Sequence, residues 1–329
     1  MSVNDTLSDN ATLSDHATRP ANDAPHMSDP QSLRSVHRVV RGEHFHWVGD
    51  GFRVTNLFPS AADLGLRISP FLLLDYAAPF DFEPTEHPGG VGVHPHRGFE
   101  TVTLAFEGSV AHHDSTGAGG VIHPGDVQWM TAASGVLHKE YHEVEWARRG
   151  GRFHMVQLWV NLPAAHKMGP PRYQGLTAEQ IGRSDLPDGA GIVRVVAGRY
   201  GDHVGPAETV TPINLWDLQL TGAAPVQLSF PRDETVALLV LDGSVTVNGT
   251  AANHRDLVVL DDDGTDLTVD AAEPARLLLL NGTRIDEPVV AYGPFVMNTR
   301  AELQQAFDDF AAGRLGRVPA EPHPGHDVL

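Results

Sequence analysis

Strand-length apolar runs dominate this chain and restrict the folds that it can adopt. Between about Arg38 and Gly282 they follow one another closely, each bounded by Gly, Pro or Asp. Several alternate apolar and polar residues, which is the period of a half-buried β-strand. The 33 Gly and 24 Pro are scattered between the runs, as expected for tight turns. The pattern predicts an all-β fold with strands at 52–58, 71–76, 99–106, 126–132, 153–162, 192–198, 214–220, 234–247, 256–260 and 275–282.

The two halves of this strand pattern resemble each other. Three pairs of segments match in the same order along the chain: 104–110 with 239–245, 126–130 with 256–260, and 156–162 with 276–282. Each match alone is weak, since an acidic residue followed by Gly is common in turns. Three matches in one order indicate a duplicated barrel unit.

Two helical segments are predicted outside the strand pattern. A short one falls around Thr177–Ile181, after the Pro170–Pro171 pair. The other begins near the C-terminus, where Thr299 and Glu302 form a capping box. Its apolar residues recur at helical spacing, and a terminating Gly follows: Leu303, Ala306, Phe307, Phe310 and Gly313. We interpret it as a packing helix.

Composition excludes several classes of function. The chain has 23 Lys and Arg against 42 Asp and Glu, a formal net charge of -19, which disfavours direct nucleic-acid binding. It has no Cys, so disulfides, thiolate metal sites and cysteine nucleophiles are excluded. No apolar stretch approaches the ~20 residues that span a bilayer. The N-terminus lacks the basic start and apolar core of a signal peptide, so we expect a cytoplasmic protein without membrane contact.

Two short motifs bring together residues that bind metals. Side chains at i and i+2 of a strand point to the same face, so His94-Pro95-His96 and His138-Lys139-Glu140 each aim two groups in one direction. If both strands line one barrel interior, three imidazoles and one carboxylate converge. Such a set suits Fe(II), Mn(II), Ni(II), Cu(II) or Zn(II), with positions open for water, substrate or oxygen. The second half has no such pair, and we expect it to be structural.

Long strings of the sequence resemble the pirin family of double cupins. They are HPHRGFETVTLAFEGSVAHHDSTG (94–117), PGDVQWMTAASGVLHKE (124–140), VQLWVNLPAAHKM (156–168) and GPFVMNTRAELQQAFDDFAAGRLG (293–316). The resemblance covers most of residues 36–317. It implies an all-β fold of two tandem cupin (double-stranded β-helix or jelly-roll) barrels followed by a C-terminal α-helix.

This resemblance and the composition together predict a division of the chain into five parts. Residues 1–33, rich in Asp, Asn, Ser, Thr and Ala, form a disordered tail. Residues 34–170 form the metal-binding cupin barrel, and 171–298 form a second cupin barrel without metal ligands. The C-terminal helix occupies 299–315, and 316–329 form a loose tail.

The resemblance to pirins also implies the ligands, which fall on His94, His96, His138 and Glu140. Fe(II) is the expected ion, and Mn, Ni, Cu and Zn are alternatives. The general cupin pattern takes its carboxylate from a Glu shortly after the His pair, which here is Glu100. The pirin resemblance favours Glu140 and leaves Glu100 as an outer partner or a strand-surface group.

Several neighbouring positions receive weaker predictions. Arg97 and Gly98 are expected to serve turn geometry and to carry a surface charge. His113 is expected to be solvated or locally bonded. Along residues 127–130 the side chains alternate, so either Gln128 and Met130 or Val127 and Trp129 face the pocket, and the sequence leaves this choice open.

Two functions are associated with pirin-like proteins. The first is quercetin 2,3-dioxygenase chemistry, an oxidoreductase reaction with a small aromatic substrate and dioxygen. The flavonol 3-hydroxyl loses its proton and binds the metal, dioxygen attacks, the ring opens and carbon monoxide leaves. Glu140 would serve as a ligand and as the general base for the 3-hydroxyl.

The second function is a metal- and redox-dependent interaction with a protein partner, for example as a transcriptional co-regulator. Because the chain has no Cys, redox sensing would then reside in the metal. A third alternative is a cupin that binds a small ligand without turnover. We favour the dioxygenase as a biochemical capability, without assigning a flavonol as the physiological substrate.

Overall fold

The computed structural model describes residues 32–58 and 67–319. Nearly all of the two predicted tails, 1–33 and 316–329, therefore lies outside the described residues. The strands of the first half are β1 (Val36–Arg41), β2 (His46–Val48), β3 (Phe52–Asn56), β4 (Phe71–Phe82), β5 (Gly90–His96), β6 (Phe99–Glu107), β7 (Val110–Asp114), β8 (Gly119–Ile122), β9 (Val127–Thr131), β10 (Val136–His142), β11 (Gly151–Asn161) and β12 (Arg172–Leu176).

The strands of the second half are β13 (Arg183–Leu186), β14 (Gly191–Ala197), β15 (Arg199–Tyr200), β16 (His203–Val204), β17 (Ile213–Leu220), β18 (Val226–Ser229), β19 (Glu234–Asp242), β20 (Ser244–Val247), β21 (Thr250–Asn253), β22 (Asp256–Leu260), β23 (Asp266–Asp270), β24 (Ala275–Thr283), β25 (Val290–Tyr292) and β26 (Phe295–Met297). The helices are α1 (Val144–Arg149), α2 (Ala164–Lys167) and α3 (Arg300–Ala311), with a short 3-10 turn at Pro187–Gly189. None of the helices in the described ranges is long and apolar enough to cross a bilayer.

The two halves repeat one arrangement of sheets. The first contains a seven-stranded sheet, β12-β9-β6-β11-β4-β3-β2, and a four-stranded sheet, β5-β10-β7-β8. The second contains β1-β22-β19-β24-β17-β14-β13 and β18-β23-β20-β21. The central strands β9-β6-β11 and β22-β19-β24 carry the three pairs of matching segments in the same positions. The duplicated unit and the all-β fold of two cupin barrels with a C-terminal helix are thus confirmed.

The edge strands do not follow the predicted boundary near residue 170. Strand β1, from the start of the first half, pairs antiparallel with β22, with Val36 opposite Leu260. Strand β12, which begins after that boundary, pairs with β9 of the first half. The open edges of β22 and β9 need backbone partners, and apolar patterning does not specify which segment supplies them. The predicted boundary at residue 170 therefore does not separate the strands of one large sheet from those of the other.

The core joins the two halves. The large sheets pack against each other through one continuous apolar cluster, which contains Leu104 and Trp129 from the first half and Leu239 and Leu278 from the second. In the small sheet of the second half, the inward residues of β18, β20 and β23 are also apolar: Val226, Leu228, Val245, Val247, Leu267 and Val269. The corresponding small sheet of the first half carries the His-containing strands β5, β7 and β10.

The two predicted helices have different outcomes. The C-terminal helix is confirmed as α3: the Thr299 side chain accepts from the Glu302 N–H, and Glu302 completes the capping box. Its buried Ala306 packs with Phe295 and Leu315. The helix predicted around Thr177–Ile181 is wrong, because these residues form a single turn in which Ile181 N donates to Thr177 O at 3.2 Å.

Candidate metal centre

Antiparallel pairing of β5 with β10 brings three imidazoles together. His138 lies opposite His94, and Val136 lies opposite His96. The ring centroids of His94 and His138 are 4.2 Å apart, and those of His96 and His138 are 4.8 Å apart. One nitrogen from each of the three rings lies within 4.8 Å of the others. The predicted convergence of the three histidines is therefore present in the structure.

The hydrogen bonds of the three histidines leave one nitrogen of each ring available to bind a metal ion. The Nδ1 atom of His94 lies 2.8 Å from the Gly92 carbonyl oxygen, and Nδ1 of His96 lies 3.4 Å from that of Pro294. An Nδ1–H donated to a carbonyl leaves a lone pair on Nε2, as in most histidines that bind metals. The Nε2 atom of His138 is buried and has no hydrogen-bond partner in the described ranges. A buried nitrogen left unpaired is costly, and a metal ion would satisfy it, so these residues fit a divalent ion.

Electrostatics favour the neutral form of these rings. Burial lowers the pKa of His94. Burial, reinforced by the neighbouring imidazoles, lowers the pKa values of His96 and His138 further. Neutral imidazole is the form that binds cations, so the three rings are ready to act as ligands at neutral pH.

Glu140 lies in a second, overlapping group. The register of β10 against β5 shifts between His138 and Glu140, and Glu140 faces His112 on β7. Ligand atoms of His112, His138 and Glu140 also lie within 4.8 Å of one another. His138 thus belongs to both groups, whereas the Glu140 carboxylate lies beside His112. The assignment of Glu140 as the fourth ligand stays a prediction.

Three side chains surround the Glu140 carboxylate. Gln128 Nε2 donates to its Oε1 at 2.8 Å, Thr103 Oγ1 lies 3.4 Å from the same oxygen while donating to Gln157 at 2.7 Å, and His112 Nδ1 lies 3.8 Å away. Burial alone would raise the pKa of Glu140. The interaction with His112, with further contributions from His94 and the Gln128 hydrogen bond, outweighs this effect and holds the pKa of Glu140 below its usual range. The group is therefore a carboxylate at neutral pH, able to bind a cation or accept a proton.

His112 is the residue that sequence reasoning missed. Its Nε2 atom lies 3.4 Å from Asp114 Oδ2, and its Nδ1 atom lies 3.3 Å from Nδ1 of His138. Burial alone would lower its pKa, but the interactions with Asp114 and Glu140 raise it. The signal was present, since His112 and Asp114 are an i, i+2 pair on one strand, like the two pairs that were identified.

The choice left open on β9 is now decided. Gln128 contacts Glu140, and its Nε2 atom lies 3.2 Å from His112 Nδ1, whereas Val127 and Trp129 belong to the core between the large sheets. Met130 packs against Ala132, Val136 and Tyr173 on the side of Gln128. The pair that faces the site is therefore Gln128 and Met130.

The other candidates lie outside both groups of ligand atoms. The ring of His113 stacks on Tyr141, whose hydroxyl lies 3.3 Å from His113 Nδ1, so the predicted local bonding is confirmed. Glu100 is buried on β6, where Thr131 Oγ1 donates to it at 2.6 Å. Burial raises the pKa of Glu100.

The prediction of a surface charge at Arg97 is wrong. The side chain is buried, donates from Nε to Ser134 O at 2.6 Å and pairs with Asp309 of α3 at 2.7 Å. The residues around Arg97 in the HPHRG string do not indicate this ion pair, since Asp309 lies far along the chain. Turn geometry at Gly98 is confirmed, with φ at +89°. A Cβ there would lie 1.9 Å from the Val296 carbonyl oxygen.

Comparison with known proteins identifies relatives that match both halves of the chain. The family model of Pirin matches residues 51–160, and the Pirin C-terminal cupin domain matches residues 215–316. A Pseudomonas aeruginosa protein provisionally named as a quercetin 2,3-dioxygenase is 54% identical over 286 residues, which cover 87% of this chain and all of that protein. A pirin-like protein of Caulobacter vibrioides is 39% identical over 290 residues, covering 86% of this chain and 99% of that protein.

Solved structures show the same fold. A quercetin 2,3-dioxygenase from Acinetobacter baumannii is 47% identical, has a TM-score of 0.83 and aligns over 87% of this chain and 99% of its own. The pirin YhhW from Escherichia coli, solved in complex with nickel(II), is 20% identical with a TM-score of 0.59, covering 75% of this chain and 99% of its own. The second likeness concerns the fold alone.

Proposed function

Because the chain belongs to the pirin family, we propose that it is a metal-dependent dioxygenase of the quercetin 2,3-dioxygenase type. His94, His96, His138 and Glu140 would hold one divalent ion, with Fe(II) as the expected metal. The observation that carries the proposal is the convergence of three neutral imidazoles around the buried, unpartnered Nε2 atom of His138. The names of the Pseudomonas and Acinetobacter relatives support the type of reaction.

The protein's own side chains would orient the ligands. The carbonyl groups of Gly92 and Pro294 accept from Nδ1 of His94 and His96 and so direct each Nε2 toward the centre. When bound, the ion would act as a Lewis acid for the flavonol 3-hydroxyl and as a template for the two reactants.

Glu140 would be the general base for the 3-hydroxyl proton. It is ionised, and Gln128 holds its Oε1 atom by a hydrogen bond. A proton arriving on this carboxylate would lie next to His112, which Asp114 positions from the other side. Glu140 thus has the surroundings that a proton acceptor needs.

Aromatic side chains would position a flat substrate. The Trp159 ring lies 5.2 Å from that of His96, and Tyr173 stacks on His112 at 5.1 Å with an interplanar angle of 17°. Both Trp159 and Tyr173 are half-buried, so they are available to a ligand at the edge of the site. Ring faces at this position suit stacking with a flavonol.

Elemental analysis of protein purified without added metal or chelator is the first test, and we expect close to one equivalent of iron.

Oxygen uptake with quercetin is the second test. His96→Ala and Glu140→Gln should abolish uptake, and Glu100→Gln should retain it. A fully metallated protein that leaves quercetin and oxygen untouched would refute the dioxygenase. Retention of activity by Glu140→Gln, but not by Glu100→Gln, would move the carboxylate role to Glu100.

A further inference from the structure

A cleft of about 600 Å³ lies between the two barrels, apart from the candidate metal centre. Its walls come from the first barrel (Phe106, Pro124, Gly125), from the connecting turn (178–183) and from the second barrel (Ile192, Arg194, Gln219, Arg276). None of the candidate metal ligands lines it. A cleft of this size can hold a small organic molecule.

Three arginines line the cleft, and their charges are incompletely compensated. Arg183 lies directly opposite Arg194 in the β13–β14 strand pair, an unfavourable arrangement for two like charges. The buried Asp217 carboxylate accepts from Arg276 at 2.8 and 2.7 Å and from Arg194 at 3.3 Å. One carboxylate thus serves two guanidinium groups.

Arg183 is the least compensated of the three. It makes no hydrogen bond or ion pair with any residue in the described ranges, and its side chain is exposed at the cleft. Glu179 also lines the cleft but forms no ion pair with any of these arginines. A bound anion between Arg183 and Arg194 would compensate the charge of Arg183 and relieve its repulsion from Arg194.

Part of the remaining wall is apolar. The Arg276 guanidinium carbon lies 4.6 Å from the centroid of the Phe106 ring, and Ile181 and Ile192 complete an apolar surface. A guanidinium group is a planar fork that matches a carboxylate, while an aromatic ring and branched side chains match a flat organic body. An inorganic anion would satisfy only the first of these features.

We propose that this cleft is a binding site for a small aromatic carboxylate. Its carboxylate group pairs with Arg183 and Arg194, and its ring packs along Phe106 and the two isoleucines. Such a ligand touches both barrels and the turn that connects them. This site is independent of the proposed dioxygenase chemistry.

Calorimetric titration of the full chain at low ionic strength with sodium benzoate tests the proposal. Benzamide, a neutral molecule of similar shape, and inorganic phosphate are the comparison ligands. We expect saturable 1:1 binding of benzoate, with benzamide and phosphate at least about tenfold weaker.

Arg183→Gln should weaken benzoate binding by about threefold to tenfold, because it removes an exposed charge partner. Its melting temperature should not fall, since the side chain forms no ion pair in the described ranges and its removal relieves the repulsion from Arg194.

Two matched variants locate the binding. Glu179→Gln removes the uncompensated carboxylate from the wall and should tighten benzoate binding, whereas His96→Ala should leave it unchanged. Loss of binding in His96→Ala with full binding in Arg183→Gln would place benzoate at the metal centre and overturn the proposal. Equal affinity for phosphate and benzoate, or no saturable binding at all, would also overturn it.

Discussion

His138 lies directly opposite His94 in the β5–β10 strand pair, and the centroids of the two rings are 4.2 Å apart. The His pair of β5 and His138 of β10 thereby share one face of the small sheet. Three ring nitrogens meet because of strand register, a property of the sheet that no single motif contains. The site consequently depends on a few backbone and side-chain contacts whose removal can be measured.

Replacing His138 should remove the bound metal. His138→Ala takes away the residue that belongs to both groups of ligand atoms. The loss in metal affinity should exceed the about 10- to 100-fold that follows the loss of an outer partner of a ligand. Elemental analysis after dialysis measures it. His113→Ala is the matched control, since His113 bonds to Tyr141 and belongs to neither group. Equal metal contents in the two variants would contradict the assignment.

Gly98→Ala should destabilise the protein much more than Gly117→Ala. Both glycines have similar positive φ angles, +89° and +86°. A Cβ at Gly98 would lie 1.9 Å from Val296 O, whereas at Gly117 it would meet no atom within 4 Å. Gly117→Ala should cost about 1–2 kcal/mol from the backbone alone. Gly98→Ala should cost at least about 2 kcal/mol more from the clash. Urea unfolding measures both, and equal midpoints would show that the β5–β6 turn does not press against β26.

The ion pair between Arg97 and Asp309 should anchor α3. The Arg97 side chain is 4% exposed, so Arg97→Ala removes a buried partner of both Asp309 and the Ser134 carbonyl group and should lower the free energy of unfolding. Arg314 contacts the same Asp309 but is 53% exposed, and Arg314→Ala should cost less than about 1 kcal/mol. Thermal unfolding compares the two. A larger loss in Arg314→Ala would reverse this assignment.

Stability should fall on acidification partly through His154. Burial, with a further contribution from Arg276, lowers the pKa of this ring from 6.5 to about 3. Below pH 6.5 the unfolded chain therefore binds a proton that the folded chain does not. The unfolding free energy falls as the pH drops toward 3, by an amount on the order of 4 kcal/mol for this group.

His154→Phe should remove this contribution and make the fall in unfolding free energy between pH 6.5 and 4 less steep. The Tyr76 hydroxyl, which bonds to His154, keeps its donation to Leu241 O at 3.1 Å. Chemical unfolding at several pH values gives the slopes. His87→Gln, at an exposed position, should retain the wild-type slope. An unchanged slope in His154→Phe would mean that the ring is protonated equally in the folded and unfolded chains.

Local sequence signals predicted much of the candidate site and of the fold. The i, i+2 spacing of His94 and His96 predicted that the two rings share one face of the strand, because strand parity is a local property. The capping box at Thr299 and Glu302 identified α3 for the same reason. The repeated order of strand segments indicated two similar barrels, since each barrel needs the same alternation of apolar residues.

Other features depend on contacts between distant segments. The partner of β1 is β22, and the partner of Arg97 is Asp309, and nothing near either residue encodes these choices. The role of His112 became visible only when β7 was placed beside β10. The sequence by itself determined which segments have the apolar–polar alternation of strands, where turns fall and which residues cap the C-terminal helix, because those preferences act over a few residues. Only the tertiary structure decided which strands are neighbours, in which register, and therefore which side chains share a site, because closure of a sheet is a property of the whole chain.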